Sequence, residues 1–194
     1  EVKIAIVGLG YVGLPLALAF GKTNRSVYGY DYNRIRVNEL RQGIDRNREY
    51  TSDELHAPRV EYSDDPTILT KANFFIITVP TPTTKANQPD LGPIEGGAEI
   101  VGKYLRKGSI VVLESTVYPG VTEEVLVPII EKFSGLRCGV DWKVGYSPER
   151  TNPGDREHTI ETTVKVVSGM DEETLVLVAE VYGMVCKKGV HKTP

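Results

Sequence analysis

The sequence predicts an α/β domain, a doubly wound and mainly parallel sheet with helices on both faces. Three observations carry that expectation. Short apolar runs rich in β-branched residues alternate with helix-like segments, the pattern of consecutive βαβ units. The chain opens on one such run, residues 2–7, which flows directly into Gly8-Leu9-Gly10-Tyr11-Val12-Gly13. The polar and unusual segments all follow strand-like runs, at the edge where open parallel sheets bind ligands.

In the opening motif each glycine has a physical role. Gly8 permits the tight turn, Gly10 lets the backbone approach a pyrophosphate, and Gly13 allows a helix to pack closely on the strand. Residues 14–22 read as a buried helix, with Pro15 tolerated in its first turn. Its N-terminus offers free N–H groups and a positive dipole end to a diphosphate. A purely structural glycine turn is the other reading of the motif. Residues 25–31 form the second strand-like run, ending in Asp31, which lies 18 residues beyond Gly13. In a Rossmann-type fold an acid near this place hydrogen-bonds the adenosine ribose. A carboxylate there accepts from both ribose hydroxyls and repels a 2′-phosphate, so NAD is expected over NADP. Arg34 and Arg36 pull slightly the other way, and an acid that only caps the next helix is the alternative.

Residues 41–58 are polar and patternless, a loop or a short helix. Residues 60–63 read as a strand, 66–71 as a short helix, and 73–79 as a buried strand stopped by Pro80-Thr-Pro-Thr83. A polar loop over 84–92 precedes 93–106, where Ile94, Ala98, Val101 and Leu105 recur at helical spacing. Residues 109–113 are strand-like and end in Glu114-Ser-Thr116. A helix over 121–133 should be kinked or shortened by Pro128 and stopped by Ser134-Gly135. Residues 142–146 and 163–168 read as strands, the first followed by the polar stretch 147–154. Asp171 caps a helix whose first turn carries Glu172 and Glu173, as the dipole favours. Residues 184–188 read as a last strand. Five strand-end segments (the glycine loop, Asp31, 80–83, 114–116 and 147–152) are expected to converge on one cleft.

Composition narrows the partners. The chain has 194 residues, of which 40% are hydrophobic and 25% charged, the make-up of one large domain with at most a small extension. Its net charge of −3 argues against nucleic acid as a partner. No apolar run reaches membrane-spanning length and no signal-like segment opens the chain, so no membrane partner is expected. A start at Glu1 reads as a trimmed or processed end. Cys138 and Cys186 lack metal-ligand spacing, so no metal is expected, and both read as reduced thiols of a cytoplasmic protein. His158 reads as a surface or structural residue, and His56 and His191 have no informative context.

The stretches GLGYVGLP, VPTPT with PDL shortly after, ESTVYPG and VGYSPERTNPGD together resemble the UDP-glucose/GDP-mannose dehydrogenase family, in its order and spacing and over essentially the whole chain. ESTVYPG and SPERxNPGD resemble the branch that acts on UDP-N-acetylhexosamines. The resemblance implies oxidation of the sugar C6 hydroxyl to a carboxylate with two NAD and a UDP-sugar as substrate. It implies that Tyr11 and Val12 contact the pyrophosphate, that Asp31 and Arg36 hold the adenosine ribose, and that Thr81 and Thr83 line the cofactor. Ser115 and Thr116 would reach the nicotinamide side, with Thr116 positioning a water or hydroxyl that relays a proton. Glu149 would be the general base, and Arg150, Thr151 and Asn152 would contact the nucleotide sugar. The chemistry suits these residues, since loss of hydride from an alcohol needs a proton acceptor. Ser115 and Thr116 as helix-capping hydroxyls, and Glu149 as a loop acid paired with Arg150, are the plainer readings.

The family's second oxidation uses a cysteine in a glycine-rich segment, and neither Cys138 nor Cys186 has that setting. Residues 1–194 therefore read as an NAD-binding domain. The linking helix and a C-terminal UDP-sugar domain with the catalytic Cys are expected beyond Pro194, in a parent that is a homo-oligomer. Without them the domain is expected to be inactive. A UDP-glucose 6-dehydrogenase and a non-catalytic NAD sensor are the competing readings. A sensor would need the glycine loop and Asp31 but has no use for ESTVYPG or SPER.

Overall fold

The computed structural model describes residues 1–149 and 158–193. Among them the apolar runs form the strands β1 (Ile4–Val7), β2 (Val27–Tyr30), β3 (Val60–Ser63), β4 (Phe74–Ile77), β5 (Ile110–Glu114), β6 (Lys143–Ser147), β7 (Lys165–Gly169) and β8 (Val190–Lys192). The helices are α1 (Gly13–Gly21), α2 (Arg34–Arg41), α3 (Ser52–His56), α4 (Gly92–Tyr104), α5 (Val127–Ser134) and α6 (Glu172–Gly183), with a 3-10 helix at Pro66–Lys71. All the strands join one sheet in the order β3-β2-β1-β4-β5-β6-β7-β8. From β3 through β6 every pairing is parallel. The chain first winds outward from β1 to β3, then crosses back to β4 on the other side of β1. That reversal opens a crevice at the strand ends.

Period-two alternation divides β1 between the two cores. Ile4 and Ile6 face one cluster and Ala5 and Val7 the other, all of them buried. Both faces must therefore be apolar, and the strand reads as an unbroken hydrophobic run. Residues of α1, α2, α3 and α6 complete the first cluster, and the 3-10 helix, α4 and α5 complete the second. Phe20 of α1 and Tyr182 of α6 meet edge to face at 6.3 Å, which ties the two ends of the chain together on one side of the sheet.

β7 breaks the parallel rule by running antiparallel to β6. Its first residue, Lys165, thus starts at the edge where β5 and β6 end. The expected strand over 184–188 does not form. Met184, Val185 and Cys186 continue from the end of α6 and pack on the core, and the chain pairs with β7 only after a turn at Gly189, whose φ is +101°. The helix expected over 121–133 is divided. Thr122–Leu126 is a π turn in which the Val127 N–H reaches back to the Thr122 carbonyl, immediately before Pro128, which has no N–H to give. Gly135, at φ +69°, ends α5 as expected.

The patternless stretch 41–58 is ordered by its own side chains. Asp45 accepts from the N–H groups of Asn47, Glu49 and Tyr50, and Thr51 with Glu54 forms a reciprocal capping box that starts α3.

Candidate active site

The glycine loop is built by steric necessity. Gly8 holds φ +102°, and its N–H donates to the Tyr30 carbonyl at 2.8 Å. A Cβ on Gly13 would lie 1.7 Å from the Gly8 carbonyl oxygen and 2.5 Å from Thr78 Oγ1, so only glycine lets α1 settle onto the turn. Thr78 Oγ1 in turn donates to the Gly8 carbonyl at 2.8 Å. Gly10 is the opposite case, because a Cβ there would meet nothing within 4 Å. The space above it is open for a ligand's approach. No side chain caps the N-terminus of α1 at Val12; the Leu14 N–H turns back to the Gly10 carbonyl at 3.1 Å and Pro15 has none, so what the helix end offers an anion is chiefly its positive dipole. Tyr11 stands beside this loop, half exposed.

Asp31 is locked to the same loop. Its Oδ2 accepts from the Leu9 N–H and its Oδ1 from the Asn33 N–H, both at 2.8 Å. The residue that caps α2 is Asn33, which accepts from Ile35 and Arg36, so Asp31 is not the helix cap. Each carboxylate oxygen keeps a lone pair for a further donor. Arg36 points inward and is only 5% exposed, donating from Nε to the Leu9 carbonyl at 3.0 Å and from Nη1 to Asp45 at 2.7 Å. Its buried Nη2 has no hydrogen-bond partner. Burial pushes the Asp45 carboxyl up, but the Arg36 bond and the N–H groups of Glu49 and Asn47 outweigh it and hold it below the ordinary value.

The strand-end hydroxyls fall into two groups. Thr81 Oγ1 and Ser115 Oγ share a hydrogen bond of 2.6 Å, and Ser115 Oγ reaches the Val79 carbonyl at 3.2 Å, a tie between the ends of β4 and β5. Ser115 is buried, whereas Thr83 is exposed in an isolated bridge with Pro89. Thr116 is exposed and donates to the Glu149 carbonyl at 2.8 Å, joining the end of β5 to the residues after β6. Neither Ser115 nor Thr116 caps the following helix, whose cap is Val121. Arg150, Thr151 and Asn152 lie outside the described residues.

Beneath Glu149 is a charged cluster that the sequence reading did not single out. Glu114 is 2% exposed. Its Oε1 accepts from Lys165 Nζ at 2.5 Å and its Oε2 from the Tyr182 hydroxyl. Lys165 Nζ also lies 3.4 Å from Glu149 Oε2 and 5.8 Å from the centre of the Tyr182 ring. Burial pushes Glu114 up despite Lys165, while on Lys165 the attraction of Glu114 and Glu149 overcomes burial and raises the ammonium. The available signal was a lone lysine opening the otherwise apolar run KVVS.

A cavity of about 750 Å³ has Tyr11 and Val12 in its lining together with Glu114, Glu149 and Lys165. The glycine loop and the charged cluster therefore share one space, and His158, exposed, is part of its wall. The thiols take no part in it. Burial pushes Cys138 and Cys186 each up to about 11, far from a nucleophile's range at neutral pH.

An open Gly10, an uncapped helix N-terminus and a strand-end carboxylate at a sheet's switch point fit a dinucleotide, and they define a dinucleotide-binding domain of the doubly wound class. The chain belongs to the UDP-glucose/GDP-mannose dehydrogenase family and matches its NAD binding domain over residues 2–186. It is 54% identical to Protein CapL of Staphylococcus aureus over 98% of this chain and 45% of that protein. It is 51% identical to the UDP-N-acetyl-D-glucosamine 6-dehydrogenase of Pseudomonas aeruginosa over 99% of this chain and 46% of that one. Among solved structures it superposes on the UDP-D-ManNAc dehydrogenase of Pyrococcus horikoshii with a TM-score of 0.87 at 31% identity, covering 98% of this chain and 46% of that chain. The chain thus spans about half the length of the curated relatives it matches.

Proposed function

We propose that the protein carrying this domain is an NAD-dependent dehydrogenase that oxidises the C6 hydroxyl of a UDP-N-acetylhexosamine to the uronic acid. The observation that carries the reading is the shared cavity, in which Tyr11 and Val12 of the dinucleotide loop and Glu149 line one space, with Thr116 bonded to the Glu149 carbonyl. The name of the Pseudomonas aeruginosa relative, at 51% identity, supports the choice of sugar.

Bound NAD supplies the hydride acceptor. The chain's own groups would bind and orient it: the backbone of Tyr11 and Val12 at the diphosphate, Asp31 at the adenosine ribose, and Thr81 and Ser115 at the ends of β4 and β5. Arg36 supports this set by holding the Leu9 carbonyl, next to the N–H that fixes Asp31. Glu149 would take the hydroxyl proton as the hydride leaves. Thr116 has already committed its hydrogen to the Glu149 carbonyl, so its oxygen serves as an acceptor that fixes a water's orientation. Arg150, Thr151 and Asn152 would meet the nucleotide sugar.

The second oxidation would use a thiol elsewhere in the full protein, because neither thiol here lies in the cleft or in a reactive range. On this reading residues 1–194 are the NAD-binding part of a cytoplasmic homo-oligomer. Two free cysteines accord with that compartment, and among the described residues no helix is long and apolar enough to cross a membrane.

The test is NADH formation by the full-length protein across a panel of UDP-sugars. The expected result is two NADH per UDP-N-acetylhexosamine consumed. A preference for UDP-glucose would overturn the choice of sugar, and NAD binding with no turnover on any sugar would favour a sensor.

A further inference from the structure

We propose that Lys165 is a positioning residue for this reaction, holding the Glu149 carboxylate in the wall of the cleft from a buried anchor on Glu114. The proposal rests on the dehydrogenase reading above and adds to it a group that acts through Glu149.

The first argument is topological. β6 and β7 pair antiparallel, with Gly145 opposite Gly169 and Tyr146 opposite Ser168. Extending that register three residues further sets Glu149 opposite Lys165, at the edge where the parallel strands end. A parallel β7 would have carried its first residue to the far edge. The reversal of one strand thus brings a lysine to a site otherwise assembled from strand C-termini.

The second argument is the division of contacts around one ammonium. Glu114 Oε1 takes the short bond, 2.5 Å, and Glu149 Oε2 the longer one, 3.4 Å. The remaining Glu114 oxygen is occupied by the Tyr182 hydroxyl, and the Tyr182 ring lies under the ammonium at 5.8 Å. The anchor therefore has no freedom to swing, since Glu114 and Tyr182 are both fully buried. Most of the positive charge is answered by Glu114, which is not a candidate proton acceptor. Lys165 thus touches the Glu149 carboxylate, the candidate proton acceptor, from a fixed anchor.

A structural ion pair would show the same Lys165–Glu114 distance, so the test must separate stability from rate. In the full-length protein, Lys165→Met leaves a buried carboxylate without its cation and should lower the melting temperature as well as activity. The double variant Glu114→Gln with Lys165→Met removes both charges and should restore the melting temperature. Positioning predicts that its kcat nevertheless stays about tenfold to a hundredfold low, the scale of a misplaced catalytic group, with the KM for NAD within about twofold of the parent. Lys165→Arg should recover much of the rate. Recovery of kcat together with stability in the double variant, or a folded Lys165→Arg no faster than Lys165→Met, would overturn the proposal. The unsubstituted protein is the separate control. If it oxidises no UDP-sugar while binding NAD by calorimetry, the dehydrogenase reading itself fails and the role of Lys165 falls with it.

Discussion

The hydroxyl of Thr116 donates to the backbone carbonyl of Glu149 at 2.8 Å, so the ends of two neighbouring strands, β5 and β6, are tied at the point where chemistry is proposed. The bond fixes the backbone at Glu149 and leaves its carboxylate to face the cavity and Lys165.

Glu149→Gln in the full-length protein should therefore lower kcat far more than it weakens NAD binding. The amide keeps size and shape but cannot take a proton, and loss of a general base costs about a hundredfold to ten-thousandfold. Steady-state kinetics beside calorimetric NAD titration gives both quantities. Turnover within about threefold of the parent, roughly 0.7 kcal/mol of barrier, would assign Glu149 to structure.

Gly10→Ala and Gly13→Ala should behave as opposites. A Cβ at Gly10 meets nothing within 4 Å, so folding should be nearly unaffected while NAD affinity falls, because the methyl fills the space the diphosphate needs. At Gly13 the Cβ would overlap the Gly8 carbonyl oxygen at 1.7 Å, and the variant should lose stability by several kcal/mol, about 3 or more. Urea unfolding and NAD titration of the two variants would show whether these roles are separate.

NAD should bind this domain about tenfold to a hundredfold more tightly than NADP. Two unit charges 4 Å apart interact by about 4 kcal/mol at an effective dielectric near 20, and solvent with the nearby Arg34 would reduce that. Asp31→Asn should narrow the gap. Because Asp31 also accepts from the Leu9 and Asn33 N–H groups, some NAD affinity should be lost at the same time. Equal affinity of the parent domain for both cofactors would remove Asp31 from the ribose.

Asp171 should give a pH-dependent contribution to stability. Its carboxylate accepts from Lys143 Nζ and from the Thr174 N–H at the start of α6, and these bonds lower its pKa to about 2. A folded-state value below the unfolded one means stabilisation that is complete above the ordinary carboxylate range and lost as pH falls through about 2. Because both partners are about a third exposed, solvent screens the ion pair and the cap bond should dominate. Asp171→Ala should cost about 0.5–2 kcal/mol at pH 7. Denaturant unfolding at falling pH should show that difference shrinking below about pH 4.

Much of this molecule is legible in its sequence. The alternation of buried runs and helical segments marked the doubly wound sheet, and the glycine loop, Asp31, Thr116 and Glu149 all announced themselves by falling after strands. Periodicity carries such information because burial on both faces demands it. It does not carry strand direction, since an antiparallel β7 has the same apolar pattern as a parallel one. That is why Lys165 went unnoticed. The misplaced last strand has a related cause, because Met184, Val185 and Cys186 are apolar for packing from a helix end and a short apolar run reads alike in either setting. The burial of Arg36 against Asp45 was hidden for another reason. Their pairing spans a stretch with no periodicity, where hydrogen bonds to side chains and turns set the path.

The reversal at β7 also bears on how such a domain can change over evolutionary time. A parallel connection must travel the height of the sheet, so its length and packing are constrained by the scaffold. β6 ends at Ser147 and the antiparallel β7 begins at Lys165, at the same edge of the sheet. The number of residues in the connection beyond Glu149 can change without re-registering any strand. On the dehydrogenase reading proposed above, selectivity for one sugar over another can be rewritten in that connection while the cofactor loop after β1 stays as it is.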